Sequence, residues 1–150
     1  MAAAPIEILL VEDNPGDVHL TKVALWDAKV MNEVHVASDG AEALAFLKRQ
    51  GKYSDAPRPD VVFLDLDLPK VNGFQVLAEM KADPELRRIS VIVMSNSSAE
   101  SDLARAYDAQ IAAYLVKPAD LDDYFNAIRA VKGLWFSVVA LAPKVQKASS

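Results

Sequence analysis

The fold is decided by PDVVFLDLDLP, residues 59–69 of the chain. Its four consecutive apolar residues, 61–64, are typical of a strand buried on both faces, which is the central position in a parallel sheet. Asp65 follows this run directly. A carboxylate at the carboxyl end of a parallel strand lies where open α/β sheets bind their ligands, and it is costly to bury without a partner. We therefore expect Asp65 to serve a metal ion, a cation or a chemical step.

The composition limits the classes of protein to which the chain can belong. Its 150 residues fit one domain, and an apolar fraction of 52% is ordinary for a globular protein. The absence of cysteine excludes a disulfide framework, a thiol nucleophile and a cysteine zinc site. A net charge of −5 without a basic block argues against a nucleic-acid surface. The first residues lack a signal-peptide pattern and no run reaches the ~18 apolar residues of a membrane span. We expect a cytoplasmic protein that binds neither nucleic acid nor membrane.

Five apolar runs alternate with five segments of helical periodicity. The strands β1–β5 are predicted at residues 6–11, 33–37, 61–64, 89–94 and 113–116, and the helices α1–α5 near residues 15–28, 41–47, 74–83, 103–110 and 121–131. Asn14 is the expected N-cap of α1, and Ala41, Leu44 and Leu47 mark the expected buried face of α2. The alternation predicts an α/β fold, a doubly wound five-stranded parallel sheet with helices on both faces. We expect a single domain over residues 1–150, with its core at about 6–132 and a C-terminal extension of α5 and tail at 133–150.

Four of the five predicted strands are followed by polar residues that the apolar run does not predict. The acidic pair Glu12-Asp13 follows β1, Asp65 follows β3, Ser95 follows β4 and Lys117 follows β5. The carboxyl ends of parallel strands share one edge of the sheet, so these side chains should converge on one pocket. β2 is the exception, and a position at the edge of the sheet would explain it.

Three carboxylates, a hydroxyl and an ammonium suit the transfer of a phosphoryl group. Close carboxylates repel each other unless a cation lies between them, and Mg²⁺ binds one or two carboxylates together with phosphate oxygens. A carboxylate beside Mg²⁺ can act as the nucleophile and become an aspartyl phosphate. Lys117 and the Ser95 hydroxyl can then contact the oxygens of the transferred group.

At this point the sequence resembles the response-regulator receiver domain of two-component signalling. The resemblance is carried by ILLVEDNPGD at residues 8–17, VVFLDLDLPKVNG at 61–73, VIVMSNSS at 91–98 and YLVKP at 114–118. It covers the chain from residue 6 to about 132. It implies the flavodoxin-like fold with strand order 2-1-3-4-5. It also implies a protein that catalyses only its own phosphorylation and dephosphorylation, and that is otherwise not an enzyme and has no output domain.

The resemblance assigns a role to each residue of the predicted pocket. Asp65 would accept a phosphoryl group from the phosphohistidine of a sensor histidine kinase. Mg²⁺ would be held by Asp13 and Asp65, by Glu12 largely through bound water, and by the backbone carbonyl of Asp67.

The remaining implied roles concern the switch. Ser95 and Lys117 would each contact a phosphoryl oxygen. Tyr114 falls on the family's aromatic switch position and would turn inward as Ser95 moves toward the phosphate, which would alter the α4–β5–α5 surface.

A closer resemblance is to the single-domain regulators that are paired with phytochromes. It is carried by DNPGDVHLT at residues 13–21, by the long loop at 49–59 and by LDDYFNAIRAVKGLWF at 121–136. It implies that the kinase is a phytochrome. The apolar segment at 134–142 lies past the receiver core, and we expect a homodimer through the α4–β5–α5 surface and this extension.

Two departures from the family pattern and one alternative function stand beside this hypothesis. Asn96 follows Ser95 where many receivers have alanine, and Asp67 adds a negative side chain two residues after the acceptor. Asp65 and Asp67 also imitate the Asp-x-Asp pair of haloacid-dehalogenase phosphatases. That family supplies its metal-binding acids after the lysine, however, whereas here the acidic pair comes first.

Overall fold

The computed structural model describes residues 6–27, 32–68, 71–97, 99–117, 122–123 and 125–130. Strands and helices alternate along the chain. The strands are β1 (Ile6–Val11), β2 (Asn32–Ala37), β3 (Val61–Asp65), β4 (Ser90–Ser95) and β5 (Ala113–Val116). The helices are α1 (Pro15–Asp27), α2 (Gly40–Leu47), α3 (Gly73–Ala82) and α4 (Glu100–Asp108), with short 3-10 turns at Gly51–Tyr53 and Leu86–Arg88. Residues 122–123 and 125–130 are also helical and belong to the predicted α5.

The five strands form one parallel sheet in the order β2-β1-β3-β4-β5, which confirms the predicted topology. β2 lies at one edge, in agreement with the absence of a polar side chain for the pocket at its end. β3 lies at the centre, and all five of its residues are buried. Because the strands are parallel, the carboxyl ends of β1, β3, β4 and β5 lie at one edge of the sheet.

Two apolar clusters pack against the sheet, one on each face. Val62 and Leu64 belong to one cluster, whereas Val61 and Phe63 belong to the other, as expected when alternate side chains of a strand point to opposite faces. The first cluster contains buried residues of α2, α3 and α4. The second contains residues of α1 together with Ile128 from the last described helical segment. The helices therefore cover both faces of the sheet. The edge at the carboxyl ends of β1, β3, β4 and β5, here called the polar edge, is left open.

Side-chain caps fix the starts of α1 and α3. The Asn14 Oδ1 atom accepts a hydrogen bond from the Asp17 N–H at 3.0 Å, which confirms Asn14 as the N-cap of α1. At the start of α3, the Asn72 side chain accepts from the Gln75 N–H, and the Gln75 side chain accepts from the Asn72 N–H. This reciprocal pair is a capping box, and it sets where the chain turns back after β3.

The predicted buried face of α2 is wrong by part of a turn. Ala41 is exposed and Leu44 is only half-buried, whereas Gly40, Ala43, Phe46 and Leu47 form the buried face. The helix begins at Gly40, which lies so close to the chain at Val71 that a Cβ atom there would be 2.2 Å from the Val71 carbonyl oxygen. In this arrangement Ala43 and Phe46 belong to the apolar cluster on this face of the sheet.

Other predicted boundaries differ from the structure or fall outside its described part. α4 ends at Asp108, so Gln110 lies beyond the helix, with a positive φ of 63°. Residues 124 and 131, which the periodicity assigns to α5, and the extension at 133–150 lie outside the described residues. Within the described ranges, no helix has the length and apolar character needed to cross a membrane.

Candidate functional site

The polar residues predicted from the strand ends come together at one edge of the sheet. Glu12 follows β1, Asp65 and Ser95 are the last residues of β3 and β4, and Lys117 follows β5. Glu12, Asp65 and Ser95 have exposed fractions of only 1%, 2% and 1%. Burial of charged groups to this extent requires partners, and the surrounding contacts show what these partners are.

Lys117 is the centre of the ionic contacts. Its Nζ atom donates to Glu12 Oε2 at 2.7 Å, to Asp17 Oδ2 at 3.1 Å and to Asp65 Oδ2 at 3.2 Å. Its side chain is 7% exposed, so these charge-assisted bonds are only weakly screened by water. The lysine thus holds the ends of β1, β3 and β5 together.

Asp17 is a member of the site that the sequence reasoning missed. The sequence assigned it only to the first turn of α1, where an acid is favourable next to the helix N-terminus. In the structure it contacts Lys117 as well. The signal that could have found it is its position: only three residues separate the end of β1 from the start of α1, so the first turn of α1 lies at the polar edge of the sheet.

Three carboxylates form a group that could hold a metal ion. One carboxylate oxygen from each of Glu12, Asp13 and Asp65 lies within 4.8 Å of the other two. Asp13 is exposed whereas the other two are buried, so the group opens toward solvent on the Asp13 side. An all-oxygen, negatively charged set of this kind suits a hard divalent cation such as Mg²⁺.

The electrostatics favour such a cation. Burial raises the pKa of Glu12 to about 7; the Lys117 hydrogen bond opposes this shift and the Asp65 charge adds to it. Burial alone would lower the pKa of Lys117, but its hydrogen bond to Glu12 and the charges of Asp65 and Glu12 outweigh this effect, so the pKa is raised. Lys117 therefore stays charged at neutral pH, but one ammonium does not fully compensate the buried acids.

Asp67 contacts the carboxylate oxygen of Asp65 that Lys117 does not contact, and it connects Asp65 to Ser95. The Asp67 N–H donates to Asp65 Oδ1 at 2.8 Å. The Asp67 carboxylate turns toward β4, where its Oδ2 atom accepts from Ser95 Oγ at 3.3 Å and from the Asn96 N–H at 3.2 Å. Sequence reasoning gave no role to these side-chain contacts. The predicted use of the Asp67 backbone carbonyl as a metal ligand stays a prediction.

Tyr114 is connected to Ser95 through one intervening residue. The Ser97 N–H donates to Ser95 Oγ at 3.0 Å, and the Tyr114 hydroxyl donates to the Ser97 carbonyl oxygen at 2.9 Å. Tyr114 is half-buried and packs at the edge of one apolar cluster. Two hydrogen bonds through Ser97 thus connect the Ser95 hydroxyl to the Tyr114 side chain on β5.

Comparison with known proteins agrees with this arrangement of side chains. The family model described as the response regulator receiver domain matches residues 8–129. The chain belongs to this family.

The receiver has close relatives among characterised proteins and solved structures. Response regulator Rcp1 of Synechocystis sp. is 39% identical over 137 residues, which cover 91% of this chain and 93% of Rcp1. The phosphorylated cyanobacterial phytochrome response regulator RcpA is 43% identical, with a TM-score of 0.85, and the match covers 91% of this chain and 97% of RcpA. The Mn²⁺-bound form of Rcp1 is 39% identical, with a TM-score of 0.83, over 90% of this chain and 97% of the other.

These matches confirm the predicted fold and the prediction of a phosphoacceptor response regulator. They give no support to the phosphatase alternative built on Asp65 and Asp67. They also agree with a divalent-metal site at the cluster of Glu12, Asp13 and Asp65.

Proposed function

We propose that Asp65 of this receiver accepts a phosphoryl group from a sensor histidine kinase in a Mg²⁺-dependent step. The observation that carries the proposal is the position of Asp65. It is buried, contacts the Lys117 ammonium and belongs to the acidic cluster with Glu12 and Asp13. A buried carboxylate in this setting can be both a metal ligand and a nucleophile.

The geometry supports a simple displacement at phosphorus. A carboxylate oxygen of Asp65 bonds to the phosphorus of the phosphohistidine as the P–N bond breaks. The imidazole leaves with the electron pair of that bond and takes a proton from water. When bound, Mg²⁺ would neutralise oxygens of the transferred group, with Glu12, Asp13, Asp65 and the Asp67 carbonyl as its ligands. Lys117 is placed to contact a phosphoryl oxygen because it already lies 3.2 Å from Asp65 Oδ2.

The partner that we propose is a phytochrome-type histidine kinase. The support comes from the relatives, since RcpA is named as a cyanobacterial phytochrome response regulator. We propose that residues 1–150 form one receiver domain, which catalyses only its own phosphorylation and dephosphorylation. The predicted cytoplasmic location and the predicted absence of nucleic-acid and membrane contacts stay predictions.

The output that we propose is association through the α4–β5–α5 surface. Movement of Ser95 toward a phosphoryl oxygen would pull on Ser97, and Ser97 holds the Tyr114 hydroxyl. On the same side of the sheet, Tyr107 of α4 is 51% exposed and Val116 of β5 is 40% exposed. Exposed large apolar side chains are common at association surfaces. A homodimer through this surface, with residues 133–150 contributing, accounts for their exposure.

The test of Asp65 is the intact mass of the protein after treatment with acetyl phosphate and Mg²⁺. Wild type should gain the mass of one phosphoryl group, and chelation of Mg²⁺ should prevent the gain. Asp65→Asn should not gain this mass, whereas Asp108→Asn, which removes an exposed acid on α4, should behave like wild type. Equal labelling of wild type and Asp65→Asn would exclude Asp65 as the acceptor.

A further inference from the structure

The carboxylate of Asp67 has an unusual pair of partners. A single oxygen, Oδ2, accepts from both the Ser95 hydroxyl at 3.3 Å and the Asn96 backbone N–H at 3.2 Å. Ser95 is 1% exposed, whereas Asp67 is an exposed residue. The side chain of a surface residue therefore reaches back to two donors at the end of a buried strand. Two donors that converge on one negatively charged oxygen form a small binding site for an anionic oxygen.

This anion site lies beside the proposed phosphoacceptor. The Asp67 N–H bonds to Asp65 Oδ1 at 2.8 Å, so the Asp67 backbone is held against the Asp65 carboxylate. β3 and β4 are neighbours, and Asp65 pairs with Met94, the residue before Ser95. A phosphoryl group on Asp65 would carry its oxygens into the space next to the Ser95 hydroxyl and the Asn96 amide.

Each of these donors has a single hydrogen to give. A hydroxyl and a backbone amide each carry one proton, so a donor that is bonded to Asp67 is not available to a phosphoryl oxygen. The Asp67 carboxylate and a phosphoryl group are also both anions, and they repel each other at short distance. The Asp67 carboxylate and a phosphoryl group therefore cannot accept hydrogen bonds from the Ser95 hydroxyl and the Asn96 amide at the same time.

We propose that the Asp67 carboxylate is an internal competitor of the phosphoryl group: it occupies the Ser95 hydroxyl and the Asn96 amide until phosphorylation of Asp65 displaces it. The proposal rests on the proposed function of Asp65 and adds a positioning residue to it. The carboxylate keeps Ser95 in its resting place in the unphosphorylated protein. Displacement of the carboxylate is part of the switch. It also lowers the fraction of the protein that a given phosphodonor can keep phosphorylated.

Two substitutions separate the charge of Asp67 from its contacts. Asp67→Asn keeps a side-chain oxygen that can accept from both donors but removes the negative charge. Asp67→Ala removes the charge and the acceptor together. Because Asp67 is exposed and lies in a turn, neither substitution removes a core contact.

The experiment uses phosphoramidate with Mg²⁺ as a small phosphodonor and follows intact mass with time. An Asp65 oxygen bonds to phosphorus as the P–N bond breaks, and the nitrogen leaves as ammonia with a proton from solvent. Asp67→Ala should be labelled roughly tenfold faster than wild type, in keeping with the removal of one charge repulsion and one pair of competing bonds. Asp67→Asn should fall between them, and Asp108→Asn should match wild type. An Asp67→Ala rate equal to or below the wild-type rate overturns the proposal.

A double-mutant cycle tests whether the effect runs through Ser95. In the Ser95→Ala background the hydroxyl has gone, so Asp67→Ala should accelerate labelling by a clearly smaller factor, roughly threefold or less. The same factor in both backgrounds would mean that Asp67 acts only through its general charge, which contradicts competition for the donor.

A second measurement needs neither phosphate nor metal. In the amide NMR spectrum of the metal-free protein, the Asn96 N–H should shift upfield and exchange faster with solvent in Asp67→Ala than in wild type. An unchanged Asn96 resonance overturns the proposal because the contact would not exist in solution. If wild type and Asp67→Ala both fail to be labelled at Asp65 while the Asn96 resonance still shifts, the proposed function fails and the contact itself stands.

Discussion

At the scale of single residues, the site contains more negative charge than Lys117 compensates. Glu12 and Asp65 are buried, and Lys117 is shared between them and Asp17. Burial costs the Glu12 carboxylate more than its hydrogen bond to Lys117 restores, which is why the pKa of Glu12 rises to about 7. The metal-free receiver is therefore expected to hold a site that is under electrostatic strain at neutral pH.

The first prediction concerns the pH dependence of stability without metal. The folded pKa of Glu12, about 7, lies above its ordinary value of 4.5, so the folded state binds more protons than the unfolded state between these values. The contribution of Glu12 to the free energy of unfolding is full below pH 4.5 and is lost as the pH rises to about 7. The loss amounts to at most about 3.5 kcal/mol, at about 1.4 kcal/mol for each pKa unit.

Glu12→Gln removes this titration. In buffer with a chelator, the variant should gain in melting temperature relative to wild type as the pH is raised from 4.5 to about 7. The measurement is a series of thermal melts at constant ionic strength. A melting difference that stays constant over this range would show that Glu12 does not titrate there.

The second prediction concerns the metal. Asp13 is the exposed member of the acidic cluster, so Asp13→Asn should raise the metal-free melting temperature slightly and abolish most of the stabilisation by Mg²⁺. At one hundred times its dissociation constant, a ligand stabilises by about 2.7 kcal/mol, which thermal melts resolve easily. Asp108→Asn is the control of equal charge. An equal Mg²⁺ shift in wild type and Asp13→Asn would remove Asp13 from the metal site.

The sequence predicts which strand-end residues belong to the site better than it predicts which side chains of the adjacent turns and helix starts belong to it. Asp65, Ser95 and Lys117 follow apolar runs, and a parallel sheet must bring the ends of those runs together. Asp17 and the Asp67 carboxylate belong to a helix start and a turn, where the direction of a side chain depends on contacts that periodicity does not encode. Local patterns therefore predict which strands supply the site, and the tertiary structure decides which loop side chains enter it.

At the scale of elements, α3 is coupled to the end of β3 through a glycine. A Cβ atom on Gly73 would lie 2.5 Å from the Leu66 Cα atom and 2.6 Å from the Asp65 carbonyl oxygen. The capping box of Asn72 and Gln75 fixes the helix start at this place. The two backbones lie so close that there is no room for a side chain at position 73.

Gly73→Ala is therefore expected to destabilise the fold by about 1–3 kcal/mol and to slow the phosphorylation of Asp65, because overpacking must push β3 and α3 apart. Chemical denaturation and acetyl phosphate labelling measure the two effects. Gly51→Asn is the matched control, because Gly51 has φ of +57° with open space around it and asparagine tolerates this conformation. Wild-type stability in Gly73→Ala would contradict the close contact.

The α2 helix shows where element prediction fails. Ala41, Leu44 and Leu47 have helical spacing, and so do Ala43, Phe46 and Leu47 on the neighbouring face. The hydrophobic residues surround much of this helix, so the sequence pattern permits more than one buried face. The contact of Gly40 with Val71, which comes from a distant part of the chain, selects the face that is observed.

At the scale of the whole molecule, the proposed dimer leads to a prediction about residues 133–150. A truncation that ends at Lys132 keeps the whole segment matched by the receiver family model, residues 8–129. It should remain folded and should shift from dimer toward monomer in sedimentation velocity. Tyr107→Ser, which changes an exposed apolar residue on α4, should weaken the dimer further. A dimer of unchanged affinity after truncation would show that residues 133–150 are not needed for association.

The two apolar clusters become complete at different times as the chain leaves the ribosome. The cluster that contains residues of α2, α3 and α4 has its last buried member at Ile111, so that side of the sheet can close once residue 111 has emerged. The opposite cluster joins α1 to Ile128, a buried residue in the helical segment that follows every strand. Until this segment emerges, α1 is the helix of the described part of the chain that covers Leu10, Phe63 and Met94. This face of the nascent receiver therefore stays half-covered until Ile128 is available, and chaperones that bind exposed apolar surface can contact it during that interval.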